Sequence, residues 1–231
     1  MSVELAVVQE NLALARGAVA EAAARSGRRA DAVELLAAVK YVEAADLAVL
    51  ADAGIALVGE NRVDQLLAKQ AVAGDRFAWD FIGHLQSRKA RDLVGRVRLV
   101  HSLSTLSAAE RLDRSGEQPI ACLVEVNAAG EESKQGLAPH ELDAFLEALA
   151  GLPNVRVEGL MTMPPLAASP EGSRPYFAAL RELAERLAER WAPQHGFGRL
   201  SMGTSQDYAV AVEEGATIIR LGSTLYRRSG V

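Results

Sequence analysis

Three things are scarce in this chain of 231 residues, and each scarcity closes off a class of function. Cysteine is the first. Cys122 stands alone inside an apolar run, so no internal disulfide can form, which suits a reducing compartment. Positive charge in excess is the second. Lys and Arg number 25 against 30 Asp and Glu, a formal net charge of −5, so the chain as a whole offers nucleic acid no basic face. Long apolar runs are the third. None reaches the roughly 20 residues that a membrane-spanning helix needs. The N-terminus also lacks the charged region followed by an apolar core that marks a signal peptide. Linkers of domain-boundary character, low-complexity tracts and repeats other than the alternation described next are missing too. These absences predict a soluble cytoplasmic protein in which residues 1–231 form one domain, with no nucleic-acid and no membrane partner.

Material for a core is present, since 49% of the residues are apolar. Leu5, Val8, Leu12, Ala15, Val19 and Ala22 recur at spacings of three and four, which predicts an amphipathic helix over residues 3–25, ended by Gly27. Short apolar runs then alternate with helical spacing. Strands are expected at 33–39, 55–58, 78–82, 98–101, 120–126, 155–161, 199–202 and 217–221. Helices are expected at 43–53, 62–73 and 86–94, and from a Ser104 or Thr105 cap to Gly116. A further helix opens at Pro139 and carries Leu142, Phe145, Leu146 and Leu149 on one face. Another over 173–191 buries Tyr176, Phe177, Leu180, Leu183 and Leu187, and the last covers 206–214. Eight strands alternating with helices predict an α/β fold, a (β/α)8 TIM barrel; an open doubly wound sheet is the alternative.

In a βα barrel, chemistry collects where strands end. The run Leu35-Leu36-Ala37-Ala38-Val39 ends in Lys40. An amine at the edge of a core is partly desolvated, which disfavours the ammonium and suits Schiff-base formation with a carbonyl compound. The plain alternative is a lysine that marks where the strand meets water. The other strand ends carry Asn61, His84, His101, Glu125 and Thr162, all expected at the same rim. The segment Ser201-Met202-Gly203-Thr204-Ser205 leads toward a helix, with Gly222-Ser223-Thr224 after the next strand. Small residues admit a backbone close to a ligand, hydroxyls donate, and phosphate sites in barrels are frequently built after the last two strands. Phosphate is therefore favoured there over two ordinary caps.

Arg220 sits between Ile219 and Leu221 and needs an acceptor, either an acidic side chain or a ring nitrogen of a cofactor. Arginine does not give up its proton, so a pyridine nitrogen facing it stays neutral and the ring is a weaker electron sink than beside a carboxylate. His84, His101 and Glu125 match no familiar ligand spacing, so no metal is expected. Cys122 reads as a core residue rather than a nucleophile. Glu131-Glu132-Ser133-Lys134 reads as a solvated loop, with a lid over the rim as the alternative.

Seven segments in order now share one pattern: Leu35 to Lys40, Gly59-Glu60-Asn61-Arg62-Val63, Phe81 to Lys89, Val126-Asn127 with Glu132 to Leu137, Gly159 to Met163, Leu200 to Asp207, and Arg220 to Ser223. Over nearly its whole length the chain resembles the pyridoxal phosphate homeostasis protein family, the YggS/PROSC type. The resemblance implies an alanine-racemase N-terminal-domain-like barrel with an extra N-terminal helix. It implies pyridoxal 5′-phosphate (PLP) held as a Schiff base on Lys40. Phosphate contacts would come from Ser201, Met202, Gly203, Thr204, Ser205, Gly222 and Ser223, with Arg220 near the pyridine nitrogen and Asn61 and His84 in or near the pocket. Around the lysine the family usually reads Ser-Lys-Thr-Lys, where this chain has Val39-Lys40-Tyr41-Val42, and Val58 stands where the family often has Phe. The lost second lysine is a nearby positive charge that would have favoured a neutral amine.

The function implied is a PLP-binding regulator or carrier for intracellular PLP homeostasis, without catalytic turnover. It would act as a monomer, with PLP-dependent apo-enzymes as recipients. The alternative is a minimal PLP-dependent amino-acid racemase. Racemisation needs a base on each face of the substrate α-carbon, Lys40 and a second, for which Tyr41 and Tyr176 are candidates. True racemases carry a further, mainly β domain that helps close the site, and this chain ends soon after Arg220. A phosphate-binding barrel isomerase without PLP is a third reading.

Overall fold

The structure, a computed structural model, describes residues 3–130 and 135–228. The loop over residues 131–134, and the lid expected of it, lie outside the described residues. Eight strands follow one another: β1 (Glu34–Ala38), β2 (Leu57–Glu60), β3 (Ala78–Phe81), β4 (Leu99–Leu103), β5 (Ile120–Glu125), β6 (Val155–Met161), β7 (Arg199–Thr204) and β8 (Ile218–Leu221). They pair in parallel in chain order, and β8 closes on β1 with Leu36 opposite Arg220. Closure rules out the open sheet and leaves no strand edge exposed. The helices are α1 (Leu5–Arg25), α2 (Leu47–Asp52), α3 (Val63–Ala73), α4 (Ser87–Ala90), α5 (Leu106–Ser115), α6 (Leu142–Leu149), α7 (Arg174–Trp191), α8 (Tyr208–Glu213) and α9 (Ser223–Tyr226). None is long and apolar enough to cross a membrane.

The strands are almost continuously apolar because both faces are buried. Alternate residues divide them. Leu36, Leu57, Leu99, Ala121, Leu123, Met161 and Ile218 fill the lumen, while Ala37, Val58, Val100, Cys122, Val124 and Ile219 pack under the helices. A one-residue slip would exchange the two sets, so register is tightly specified. Cys122 is fully buried, and burial pushes its thiol well above the usual range.

The extra helix α1 buries Val8, Leu12, Ala15, Val19 and Ala22, whereas Leu5 in its first turn is 42% exposed. Asn11 on the buried face donates to the Arg227 carbonyl at 2.8 Å, and Arg28 donates to the Val212 carbonyl at 2.8 Å. Thus α1 and the turn after it clasp α8 and α9, the elements that border the last two strands. Thr105 is the cap of α5, accepting from the Ala108 N–H at 3.3 Å.

Several boundaries differ from expectation, and at β2 and β7 the reason is pairing with a neighbouring element. Ile55 returns its N–H to Leu50 and finishes α2, so β2 starts at Leu57, opposite Ala78. β7 runs on to Thr204, which pairs with Arg220 after a register shift. The expected helix 86–94 divides into α4 and a 3-10 turn over Arg91–Leu93. Tyr176 is half-buried rather than buried, and α9 is an element the spacing did not predict.

Candidate functional site

The C-terminal ends of the strands surround a cavity of about 500 Å³. Among the expected site residues, Lys40, Asn61, His84, Thr204, Ser205, Arg220, Gly222 and Ser223 line it. Tyr41, Glu125, Met161, Met163, Tyr226 and Arg227 line it as well. Ser201, Met202 and Gly203 do not, and each has another role.

Lys40 stands two residues past β1 on a turn, exposed rather than partly desolvated, with its Nζ 5.0 Å from the centre of the Tyr41 ring. The turn is well braced. The Val39 N–H bonds to the Gly59 carbonyl at 2.9 Å, and the Val39 carbonyl accepts from Lys69 Nζ at 2.7 Å. Lys69 also meets Glu60 Oε2 at 2.5 Å, and Glu60 Oε1 accepts the Asn61 N–H at 2.7 Å. Both side chains are buried, so one closed ion pair fixes the backbone beneath Lys40 and Asn61 together. Sequence reasoning missed this pair, although Lys69 stood on the apolar stripe of α3 with Val63, Leu66 and Ala73, where a cation demands a partner. Gly83 is a forced choice nearby, because a Cβ there would lie 1.9 Å from the Asn61 carbonyl oxygen.

At the corner between β7 and β8, Ser201 and Met202 lie in the strand as expected, and the strand runs on through Gly203 to Thr204 before the chain turns into α8. Met202 points outward into the core under the helices. Gly203 has φ +88°, and a Cβ on it would come within 2.5 Å of Ala211, so only glycine lets β7 bend this close to α8. Asp207 closes the turn by accepting the Thr204 N–H at 2.7 Å. Thr204, Ser205, Gly222 and Ser223 remain at the cavity wall.

The lumen beneath is polar along one line. Arg220 NH1 donates to Ser201 Oγ at 2.8 Å and NH2 donates to the Thr162 carbonyl at 2.9 Å. His101 Nδ1 lies 2.9 Å from Ser201 Oγ, and its Nε2 lies 3.0 Å from Asp80 Oδ2. Asp80 in turn accepts from Arg98 at 2.8 and 3.0 Å, and Arg98 also pairs with Glu34. Because β4 and β7 are not neighbours in the barrel, the His101–Ser201 contact crosses the lumen. Burial lowers the His101 pKa against the pull of Asp80, whereas the His101 and Arg98 contacts hold the Asp80 carboxyl below its ordinary value against its own desolvation. His84, in contrast, is exposed at the rim, so the two histidines do not form a pair. No group of three metal-ligating side chains occurs among the described residues.

Arg220 is 7% exposed, and burial pushes it down to about 10 while the more distant Glu125 and Asp207 oppose the shift. Its hydrogen-bond acceptors are neutral oxygens, not the acidic side chain that was one of the two expected partners. Glu125 lines the same cavity with Oε2 buried and unpaired, and desolvation raises its pKa. Tyr226 was also missed. Its hydroxyl donates to the Ala38 carbonyl at 3.2 Å, tying α9 to the end of β1.

Residues 14–229 match the family model described as the alanine racemase N-terminal domain. A pyridoxal phosphate homeostasis protein of Aquifex aeolicus is 41% identical over 212 residues, covering 90% of this chain and 92% of its own. Another of that name from Pseudomonas aeruginosa is 38% identical, covering 96% of each chain. Among solved structures, PipY of Synechococcus elongatus with PLP bound superposes with a TM-score of 0.82 at 34% identity, covering 95% of this chain and all of its own.

Proposed function

The chain belongs to the pyridoxal phosphate homeostasis protein family, built on the alanine racemase N-terminal domain, and from that premise we propose that it binds PLP in the barrel cavity and buffers it without turning over amino acids. One observation carries the reading: a lysine, a corner of small hydroxyl residues and a buried arginine without a carboxylate hydrogen-bond partner border one 500 Å³ cavity. The donor set fits the cofactor. Lys40 would supply the amine that holds the cofactor through its aldehyde. Thr204, Ser205, Gly222 and Ser223 would hold the phosphate, with the exposed Arg227 beside them. Arg220 would meet the ring nitrogen and, keeping its proton, would leave that nitrogen neutral. Bound PLP supplies the aldehyde and a ring able to draw electrons.

Among the described residues, no tyrosine weighed as a second base for turnover is placed for that role. Tyr176 is not part of the cavity wall, Tyr41 is 72% exposed at its mouth, and Tyr226 has its hydroxyl engaged and its pKa raised by burial. Exposed Lys40 and His84 leave the mouth open to water, which weakens fixed electrostatic stabilisation. The reading includes residues 1–231 acting as one domain and as a monomer in the cytoplasm, where the lone buried Cys122 is at home, with PLP-dependent apo-enzymes as recipients.

The test is a spectral titration with PLP. A visible imine band is expected in the natural protein and none in Lys40→Ala. Deuterium exchange at an amino acid α-carbon should stay at the rate of free PLP. A band that survives in Lys40→Ala would refute the Schiff-base assignment, and exchange well above free PLP would make the chain a racemase.

A further inference from the structure

We propose that Asp80, acting through His101 and Ser201, is a positioning residue that locks Arg220 into the cavity floor as a fixed donor to an unprotonated ring nitrogen; this rests on the reading that PLP occupies the cavity. The hydrogen-bond inventory leaves one consistent arrangement of protons. Arg220 has donors only, so Ser201 Oγ must accept from NH1 at 2.8 Å. The hydroxyl proton is then free to point at His101 Nδ1, 2.9 Å away, which therefore carries a lone pair. Nε2 must hold the ring proton and give it to Asp80 Oδ2 at 3.0 Å, since a carboxylate only accepts. Arg98 holds Asp80 from the other side at 2.8 Å, keeping it charged. The series runs in one direction: Arg220 to Ser201 to His101 to Asp80.

The opposite arrangement fails. A protonated imidazole would aim a second N–H at Ser201 Oγ beside that of Arg220 and would strand the hydroxyl proton. The charges around His101 are Asp80 on β3, Arg98 before β4 and Arg220 on β8, and the low pKa of the ring agrees with its being neutral. Asp80, His101 and Ser201 are each fully buried, so bulk solvent does not reach these bonds. Asp80 does not line the cavity. Its carboxylate selects the imidazole tautomer, the tautomer orients the serine hydroxyl, and the serine oxygen fixes the guanidinium. Such a chain is needed to aim a donor at one atom. It is not needed merely to fill a lumen, where apolar residues such as Leu99 and Leu123 serve.

The experiment uses two ligands that differ at one atom: PLP and 1-deazapyridoxal 5′-phosphate, in which C–H replaces the ring nitrogen. Dissociation constants are measured for the natural protein, Asp80→Asn, His101→Gln and Ser201→Ala, alongside thermal unfolding and borohydride trapping at Lys40. The natural protein should prefer PLP. In the variants PLP should bind about tenfold more weakly, the loss of one well-aimed hydrogen bond to a charged donor, while the deaza ligand binds unchanged and trapping at Lys40 persists. Equal weakening for both ligands, or no change for PLP, would overturn the relay. If Asp80→Asn does not fold, Ser201→Ala leaves the Asp80–Arg98–Glu34 contacts intact and decides the matter by itself. A natural protein that binds neither ligand refutes the PLP reading and the relay with it; one that binds both equally refutes only the relay.

Discussion

Two buried ionic assemblies flank the cavity, and they are finished in different ways. Lys69 and Glu60, between α3 and β2, close on each other and on the backbone of Val39, Asn61 and Arg62. Arg220, in the lumen, hydrogen-bonds only to neutral oxygens among the described residues, and the carboxylates that act on it, Glu125 and Asp207, are too distant to pair. A closed pair has nothing left to offer a ligand and holds backbone in position. A cation with neutral partners keeps its field for whatever enters the cavity. The difference separates scaffold from site more sharply than burial does, since both assemblies are buried.

The largest effect is expected from Lys69→Met. It strands the Glu60 charge in the interior and should cost about 3–5 kcal/mol by urea unfolding. Changing Arg220 to Met should cost the ligand-free protein no more than about 1.5 kcal/mol, because a desolvated cation departs with its hydrogen bonds. Equal losses would abolish the distinction.

Acidity sharpens it further. The folded pKa of His101 is depressed, so below about 6.5 the unfolded chain binds a proton that the folded one refuses. Stability present at neutral pH should therefore fall as pH drops from about 6.5, by up to about 1.4 kcal/mol per unit. His101→Gln should flatten that slope in calorimetry from pH 7 to 5. Glu125, whose folded pKa is raised, works in the opposite sense, losing stability as pH rises from the ordinary carboxylate range. Glu125→Gln should thus steepen the fall. The smallest effect belongs to Asn11→Ala, which unties α1 from α9 and should cost about 1 kcal/mol, seen as faster amide exchange in Ser223–Tyr226.

The barrel was legible because its strands are apolar on both faces and the intervening helices carry apolar stripes. Boundaries at β2 and β7 were not, since Ile55 and Thr204 take their states from partners in other elements. The rim was legible for a similar reason: a closed parallel barrel delivers every strand end to one face. Within Ser201–Ser205 the assignment was coarser than the structure. Strand alternation sends Met202 outward and Ser201 into the lumen, and the bend at Gly203 leaves only Thr204 and Ser205 at the cavity. Asp80 between Trp79 and Phe81 carried a visible signal, a charge inside an apolar strand. Its partners, His101 at 21 residues and Arg98 at 18, are brought to it only by the fold.

The most direct measurement is borohydride reduction of the protein mixed with PLP, followed by peptide mass mapping. A single phosphopyridoxyl mass on the peptide bearing Lys40 is the expected result. A label spread over surface lysines such as Lys89, or none on Lys40, would contradict the assignment of this cavity to PLP.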